Sequence, residues 1–436
     1  MMTPGLADEL SGLPTLRHYV AQVTQDLRDG RSVLWLVPRV SGGEWLVQMA
    51  LNECQEHLCR DTRRVVLEEP DQLAAGPAEF LREVLDLPSD PLAATGVRHM
   101  QQTYQHEQLP GVLFLDATRL RTAQADIGRV SRQLARLYSD WVLADTSAAG
   151  GRPLAPRPLL LASALPIEPD PIAVASVRAS LRCYWGVLTQ LDVRYAVQVC
   201  ARDAGDVWMS TWADAVYAEL AGFDLELVEW LWDRSPDNDA DLGAVLQEYA
   251  HSRGWGRLVR PELLGLVRDA NRIPREVSRS CLEPRRELWD AWLAGLVAVI
   301  PPGGVELHSS ALALLGRDED LQHRVWRGQV RTIMPVLDSA RVALCSRLTD
   351  AFGPHWTHFR APVDTTSVSG DPNQPVTEWG HLQAVWHSQQ VESTHLARHR
   401  DEVLSFWKAR NDLAHHRVLR RQRFRRVLEG ALDLVP

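Results

Sequence analysis

SVLWLVPRVSGGEW, residues 32–45, decides the fold of the first part of this chain. The apolar run Ser32–Val37 lies between Gly30 and Pro38, the length and punctuation of a buried strand. The loop PRVSGG follows at 38–43, and from Glu44 to about Cys59 apolar residues return at helical spacing. A strand that passes through a glycine loop into a helix opens a parallel α/β layer.

Working outward, three further short apolar runs read as strands. They are Arg64–Leu67, Val112–Leu115 ending in Asp116, and Leu159–Ala162. Helical periodicity fills the gaps, with a lead-in helix over Leu13–Leu27 and a long amphipathic one over about 127–143. Residues 1–165 are therefore expected to form a three-layer α/β domain. From Pro171 to Ile300 the spacing predicts helices only, including one over Ile172–Val199 and one over Pro284–Val299. Pro301-Pro302-Gly303-Gly304 reads as a boundary, and beyond it a long helix, Asp318–Ala351, opens an all-helical region. The expected organisation is multidomain: 1–165 α/β, 166–310 an all-α linker or lid, and 311–436 an all-α bundle.

Composition narrows the functional classes. The 436 residues are 45% hydrophobic and 24% charged, the balance of a globular chain. The longest apolar run, Ala291–Ile300, is too short to span a bilayer. MMTPGLADEL carries no basic segment followed by an apolar one, so no secretory signal and a cytoplasmic location are expected. Cysteines at 54, 59, 183, 200, 281 and 345 make no C-x-x-C pair, against a zinc module or a disulfide framework. Of 47 basic residues only Lys408 is lysine, so chemistry that needs a lysine elsewhere is excluded. The net charge of −9 confines any nucleic-acid contact to a local patch. The 16 tryptophans read as core and interface anchors.

A strand, a glycine loop and a helix N-terminus in that order also make the layout of a phosphate site, because backbone N–H groups converge there. The Walker A pattern G-x-x-x-x-G-K-[ST] meets Pro38-Arg39-Val40-Ser41-Gly42-Gly43-Glu44-Trp45 here. Glu44 stands where lysine would neutralise phosphate, and Trp45 where a hydroxyl would hold magnesium. Asp116 ends its strand in the place of a Walker B aspartate, but Ala117 follows in place of a second acid. Glu219–Asp224 (ELAGFD) has the cast of a helical lid. Residues 30–250 thus resemble a degenerate P-loop domain of the STAND type. The resemblance implies a nucleotide site at Gly42, Gly43, Glu44 and Asp116 that no longer hydrolyses, and no bound cofactor is expected.

The second informative stretch is Arg410-Asn411-Asp412-Leu413-Ala414-His415, preceded by Phe406-Trp407-Lys408-Ala409. This R-N-x-x-A-H pattern on a late helix resembles the signature of the HEPN superfamily, over about residues 315–436. Metal-free RNA cleavage needs a group that moves protons and a cation for the charge that builds on phosphorus, and histidine and arginine supply both. Five residues on a continuous helix turn through about 140°, so Arg410 and His415 share no face unless the helix ends or two copies meet. The resemblance implies a homodimer with His415 as acid/base, Arg410 on phosphate and Asn411 in a positioning role.

Lys408–Arg426 holds eight Lys/Arg against Asp412 alone among acids. Lys408, Arg417, Arg420, Arg421, Arg423 and Arg425 are therefore candidate RNA contacts. The alternative is a solvated helix face paired with acids elsewhere. His395 with His399, and His355 with His358, have no further ligands nearby, so no metal site is expected. No G-x-S-x-G elbow or H-E-x-x-H motif occurs. The sequence reading favours an RNA-targeting effector of a prokaryotic defence or toxin system, a metal-independent HEPN-type ribonuclease with protein partners. The competing reading is a non-enzymatic scaffold with degenerate ATPase-like and HEPN-like domains. A nucleotide-sensing signalling ATPase is a third, opposed by the missing lysine.

Overall fold

The computed structural model describes residues 4–39, 43–58, 62–87, 97, 110–122, 126–144, 157–202, 207–234, 242–272, 283–300, 304–359 and 378–435. They divide into two compact units. The first comprises residues 1–199, 221–230 and 248–315, and the second 200–220, 231–247 and 316–436.

The first unit is built on a five-stranded parallel sheet. Its strands are β1 (Ser32–Leu36), β2 (Thr62–Val66), β3 (Val112–Ala117), β4 (Leu159–Ser163) and β5 (Ala179–Cys183), in the order β2-β3-β4-β1-β5. All residues of β1, β3 and β4 are buried, so both faces of the sheet are covered. Their apolar content follows: a strand that meets water on neither side has no alternation to show. Helix Pro14–Arg28 packs on β1 and helix Ile127–Val142 on β4. Buried polar atoms are satisfied across these layers. Trp35 Nε1 donates to Tyr19 Oη (2.8 Å), and Tyr138 Oη donates to the Ser32 carbonyl (2.8 Å).

Two expectations fail here. Residues 172–199 are not one helix: short helix Pro171–Val174 leads into β5, which completes the sheet, and helix Gln190–Ala201 follows. Nor does 284–299 form one helix. Helix Trp289–Leu293 stops, Gly295 turns the chain at φ 81°, and β6 (Val297–Val299) pairs antiparallel with β7 (Val305–Leu307). The middle region is therefore not all-α; the expected boundary at Pro301–Gly304 lies largely outside the described residues.

The remainder of the first unit closes around Asp224, which is wholly buried. Its carboxylate caps helix Leu225–Arg234, accepting from Glu226 N (3.0 Å) and Leu227 N (3.3 Å), and takes Tyr249 Oη on its other oxygen (2.6 Å). The Ser310 amide donates to His308 Nδ1 (3.1 Å), which leaves the proton on Nε2 to face Asp224 at 3.2 Å.

The second unit is helical. Helix Asp318–Phe352 runs 35 residues with Pro335 inside it, and it packs on helices Arg400–Ala414 and Arg421–Leu432. Ile333, Leu337, Ala340, Leu344 and Leu348 form its buried stripe, at the three-to-four residue spacing of one helix face. Phe406, Leu413, Phe424 and Val427 come from the other two helices to the same core. Buried Glu219 in this unit takes Arg327 (2.9 Å) and Arg331. Among the described residues no helix is long and apolar enough to cross a membrane.

Candidate functional site

Helix Arg400–Ala414 carries the R-N-x-x-A-H motif at its end, and His415 is its C-cap. The helix stops because His416 swings into the left-handed region (φ 59°). His416 N donates to the Leu413 carbonyl (3.2 Å) and Arg417 N to the Asp412 carbonyl (2.8 Å), the two bonds of a Schellman ending. Glycine ordinarily takes that position; a residue with a Cβ is strained there by roughly 1–2 kcal/mol. The compensation is stacking. The His416 ring lies 4.2 Å from that of Trp326 at 21°, and His323 packs on Trp326 at 4.9 Å. Trp326 Nε1 in turn donates to the Leu413 carbonyl (2.6 Å), which ties this aromatic cluster to the last helical turn.

His415 is still the C-cap (φ −98°, ψ 21°) and the left-handed turn comes one residue later, so the ending leaves the separation of about 140° between Arg410 and His415 in place within one copy. His415 is exposed, and among the described residues its ring makes no hydrogen bond. Arg410 is half-exposed, donates to Asn411 Oδ1 (3.3 Å) and lies 3.5 Å from Glu378. His416, not His415, is the histidine engaged by packing.

The candidate RNA contacts separate into two groups. Arg423 Nη1 donates to Asp412 Oδ2 (2.6 Å), Arg417 lies 3.5 Å from the same carboxylate, and Arg425 pairs with Glu429 (2.8 Å). Arg421 lies over the Trp212 ring at 5.6 Å and contacts the Met209 sulfur. Lys408 and Arg420 are exposed and make no such ties among the described residues. His399 bonds Glu402 (2.6 Å) and Arg347 (3.2 Å) from a 3₁₀ segment, a structural role. Among the described residues no three His, Cys, Asp or Glu side chains gather as a metal ion would need. The side chain of His358 lies outside what the structure describes, and His355 is exposed.

In the first unit, Gly42 lies outside the described residues. Gly43 and Glu44 begin helix Gly43–Leu58, and their surroundings are not described. Asp116 is fully buried. Arg64 Nη2 donates to its Oδ2 (2.5 Å), while Thr118 N (3.1 Å) and Thr118 Oγ1 (2.6 Å) donate to Oδ1. Both carboxylate oxygens are thus committed within the protein. Arg64, which sequence reading passed over as a strand residue, also donates to Gln48 Oε1 (2.6 Å).

A cleft of about 1060 Å³ opens at the carboxyl ends of the strands. From β1 the chain leaves for β2 on one side, and from β4 it leaves for β5 on the other. Neighbouring strands whose connections diverge leave a crevice at their carboxyl ends, where α/β proteins hold ligands. Val37, Arg39 and Ala164 line it there, joined by Arg64, Thr118 and Trp45.

No protein-family model matches this chain, and no curated protein matches it.

Proposed function

We propose that the chain is a metal-independent endoribonuclease of HEPN type, active as a homodimer and acting as an effector in a prokaryotic defence or toxin system with protein partners. The observation that carries this reading is the exposure of His415 at a helix end, with Arg410 and Asn411 in the turn before it. A histidine packed into the core would have no route to a substrate; this one meets solvent.

In the proposed reaction His415 of one copy takes the proton from a ribose 2′-hydroxyl. The 2′-oxygen bonds phosphorus as the bond to the 5′-oxygen breaks, and the second copy's His415 returns a proton to that leaving oxygen. Arg410 steadies the charge on the equatorial oxygens. Lys408 and Arg420, exposed and without carboxylate partners among the described residues, contribute phosphate contacts. Asp116, with its carboxylate filled by Arg64 and Thr118, supports a first unit that regulates without hydrolysing nucleotide.

Cleavage of a mixed RNA pool tests the proposal. His415→Ala should lose about 10²–10⁴-fold of activity, chelators should leave it intact, and products should end in 2′,3′-cyclic phosphate. Arg410→Lys should rescue poorly, since the planar fork is lost. The ion pair of Arg410 with Glu378 favours a scaffold as the second reading. That reading wins if the wild-type protein cleaves nothing with its partners present while Arg410→Ala lowers the melting temperature.

A further inference from the structure

A band of aromatic rings stands beside the proposed catalytic histidine, and none of its members belongs to the R-N-x-x-A-H pattern. His416 stacks on Trp326 at 4.2 Å and 21°, and His323 on the same indole at 4.9 Å and 27°. The two imidazoles lie 5.9 Å apart, too close for rings on opposite faces of one indole. They therefore spread side by side over one face. Both histidines are exposed, and Trp326 beneath them is half-buried.

The rings are fixed from below, since Trp326 Nε1 donates to the Leu413 carbonyl (2.6 Å). Their backbone is costly. His416 holds φ 59°, where glycine or asparagine ordinarily sits. Stacking one ring pair offsets about what that turn costs a residue with a Cβ. Folding alone therefore gives histidine no advantage over glycine at 416. Backbone strain kept at no gain to the fold belongs to places where the side chain has another task.

The surroundings suit a polyanion. Lys408 and Arg420 are exposed and make no carboxylate contact among the described residues. Arg417, next to His416 in the chain, is 72% exposed beside Asp412. The acids that act on His323 are compensated, Asp320 by Arg317 (2.7 Å) and Glu219 by Arg327 (2.9 Å) and Arg331. Cations along the backbone with aromatic faces under the bases are the combination that holds a single strand of nucleic acid.

We propose that the exposed faces of His416 and His323 stack an unpaired base of the RNA next to the cleaved bond, and that this stacking favours a purine there. The inference rests on the ribonuclease reading for its ligand and adds which part of that ligand is recognised. His415 and His416 are consecutive, with Cα atoms about 3.8 Å apart. A base on the ring therefore belongs to a nucleotide at or beside the one that His415 deprotonates. Every base has a π-face, so the preference comes from stacking strength and not from hydrogen bonds.

Fluorescence anisotropy with the full chain tests this, using labelled 2′-O-methyl strands of about twelve nucleotides. Such strands have no 2′-hydroxyl to lose a proton, so binding is read with cleavage silent. Oligoadenylate should bind more tightly than oligouridylate, and both more tightly than an abasic strand with the same phosphates. The stacked base should account for about 5- to 100-fold in affinity. Added salt should weaken all three strands and leave their order. His416→Gly should lose about fivefold or more on oligoadenylate, leave the abasic strand unchanged and keep the wild-type melting temperature. His416→Phe, which retains a ring, should keep the preference. If glycine lowers the melting temperature, His416→Asn serves, because asparagine also tolerates the turn. Equal affinity of the wild type for oligoadenylate and the abasic strand overturns the proposal. So does failure of all three strands to bind at high micromolar protein, or a His416→Gly variant that weakens them equally or not at all. Base-dependent binding without cleavage of unmodified RNA keeps the platform and removes the nuclease; cleavage without base-dependent binding does the reverse.

Discussion

Gln329 clasps the backbone of Leu419 with both ends of its amide: Oε1 accepts from Leu419 N (2.7 Å) and Nε2 donates to Leu419 O (2.8 Å). The pair is buried and ties the segment between the motif helix and the last helix to the long helix Asp318–Phe352. Gln329→Ala strands a buried N–H and a buried carbonyl together, each worth about 1–3 kcal/mol. Thermal unfolding should show a loss of about 2–6 kcal/mol. A melting temperature equal to wild type would mean that water replaces the amide at no cost.

Asp116, buried and bonded to Arg64 and Thr118, is expected to support structure and not turnover. Removing one member of a buried ion pair typically costs about 3–5 kcal/mol, because the other charge is left uncompensated. Asp116→Ala should therefore destabilise the first unit. ATP and GTP hydrolysis should be at background in wild type and variant alike. Wild-type hydrolysis that disappears with Asp116→Ala would overturn this and restore a catalytic role.

Gly328 sets how closely two helices of the second unit approach. A Cβ there would stand 1.7 Å from the Ala215 carbonyl oxygen, with backbone on the far side that cannot swing away. Gly328→Ala should cost about 3 kcal/mol or more by overpacking. Folded protein with an unchanged denaturant midpoint would contradict the close approach.

Acid should weaken the aromatic cluster beside the motif. Burial, aided by Arg327 and His416, holds His323 below its ordinary value against the opposing pull of Asp320 and Glu219. The unfolded chain then takes up its proton first, near pH ~6.5. The contribution is complete above that value and is lost as pH falls through it toward the folded-state pKa. Melting temperatures between pH 7.5 and 5.5 should fall less steeply for His323→Phe than for wild type. Parallel slopes would remove His323 from the account.

The sheet was legible where burial on both faces leaves a run of apolar residues, as in β1, β3 and β4. It was not legible at β5, because ASLRC is a half-buried edge strand in which Ser180 and Arg182 face Asp26 at 2.6 and 2.7 Å. The hairpin β6–β7 was hidden because AWLAGLVAVI suits helix and strand equally, and only the turn at Gly295 divides it. At the motif, the sequence pointed to Arg410, Asn411 and His415 as candidates but not to where the helix ends. That end depends on a histidine in a glycine's place, stabilised by Trp326 from a distant helix. Arg64 was invisible as a site residue for the same reason: only strand pairing brings it diagonally across from Asp116.

Lys408 stands exposed two residues before Arg410 on a helix whose end is fixed by Schellman bonds and ring stacking. Since it is the one lysine in the sequence, it is also the single side-chain primary amine. An amine-selective fluorophore would therefore report from the edge of the motif and, apart from an N-terminal amine, from nowhere else in the chain. Pairing of two copies across that face would appear as energy transfer between identical dyes, without any engineered attachment point.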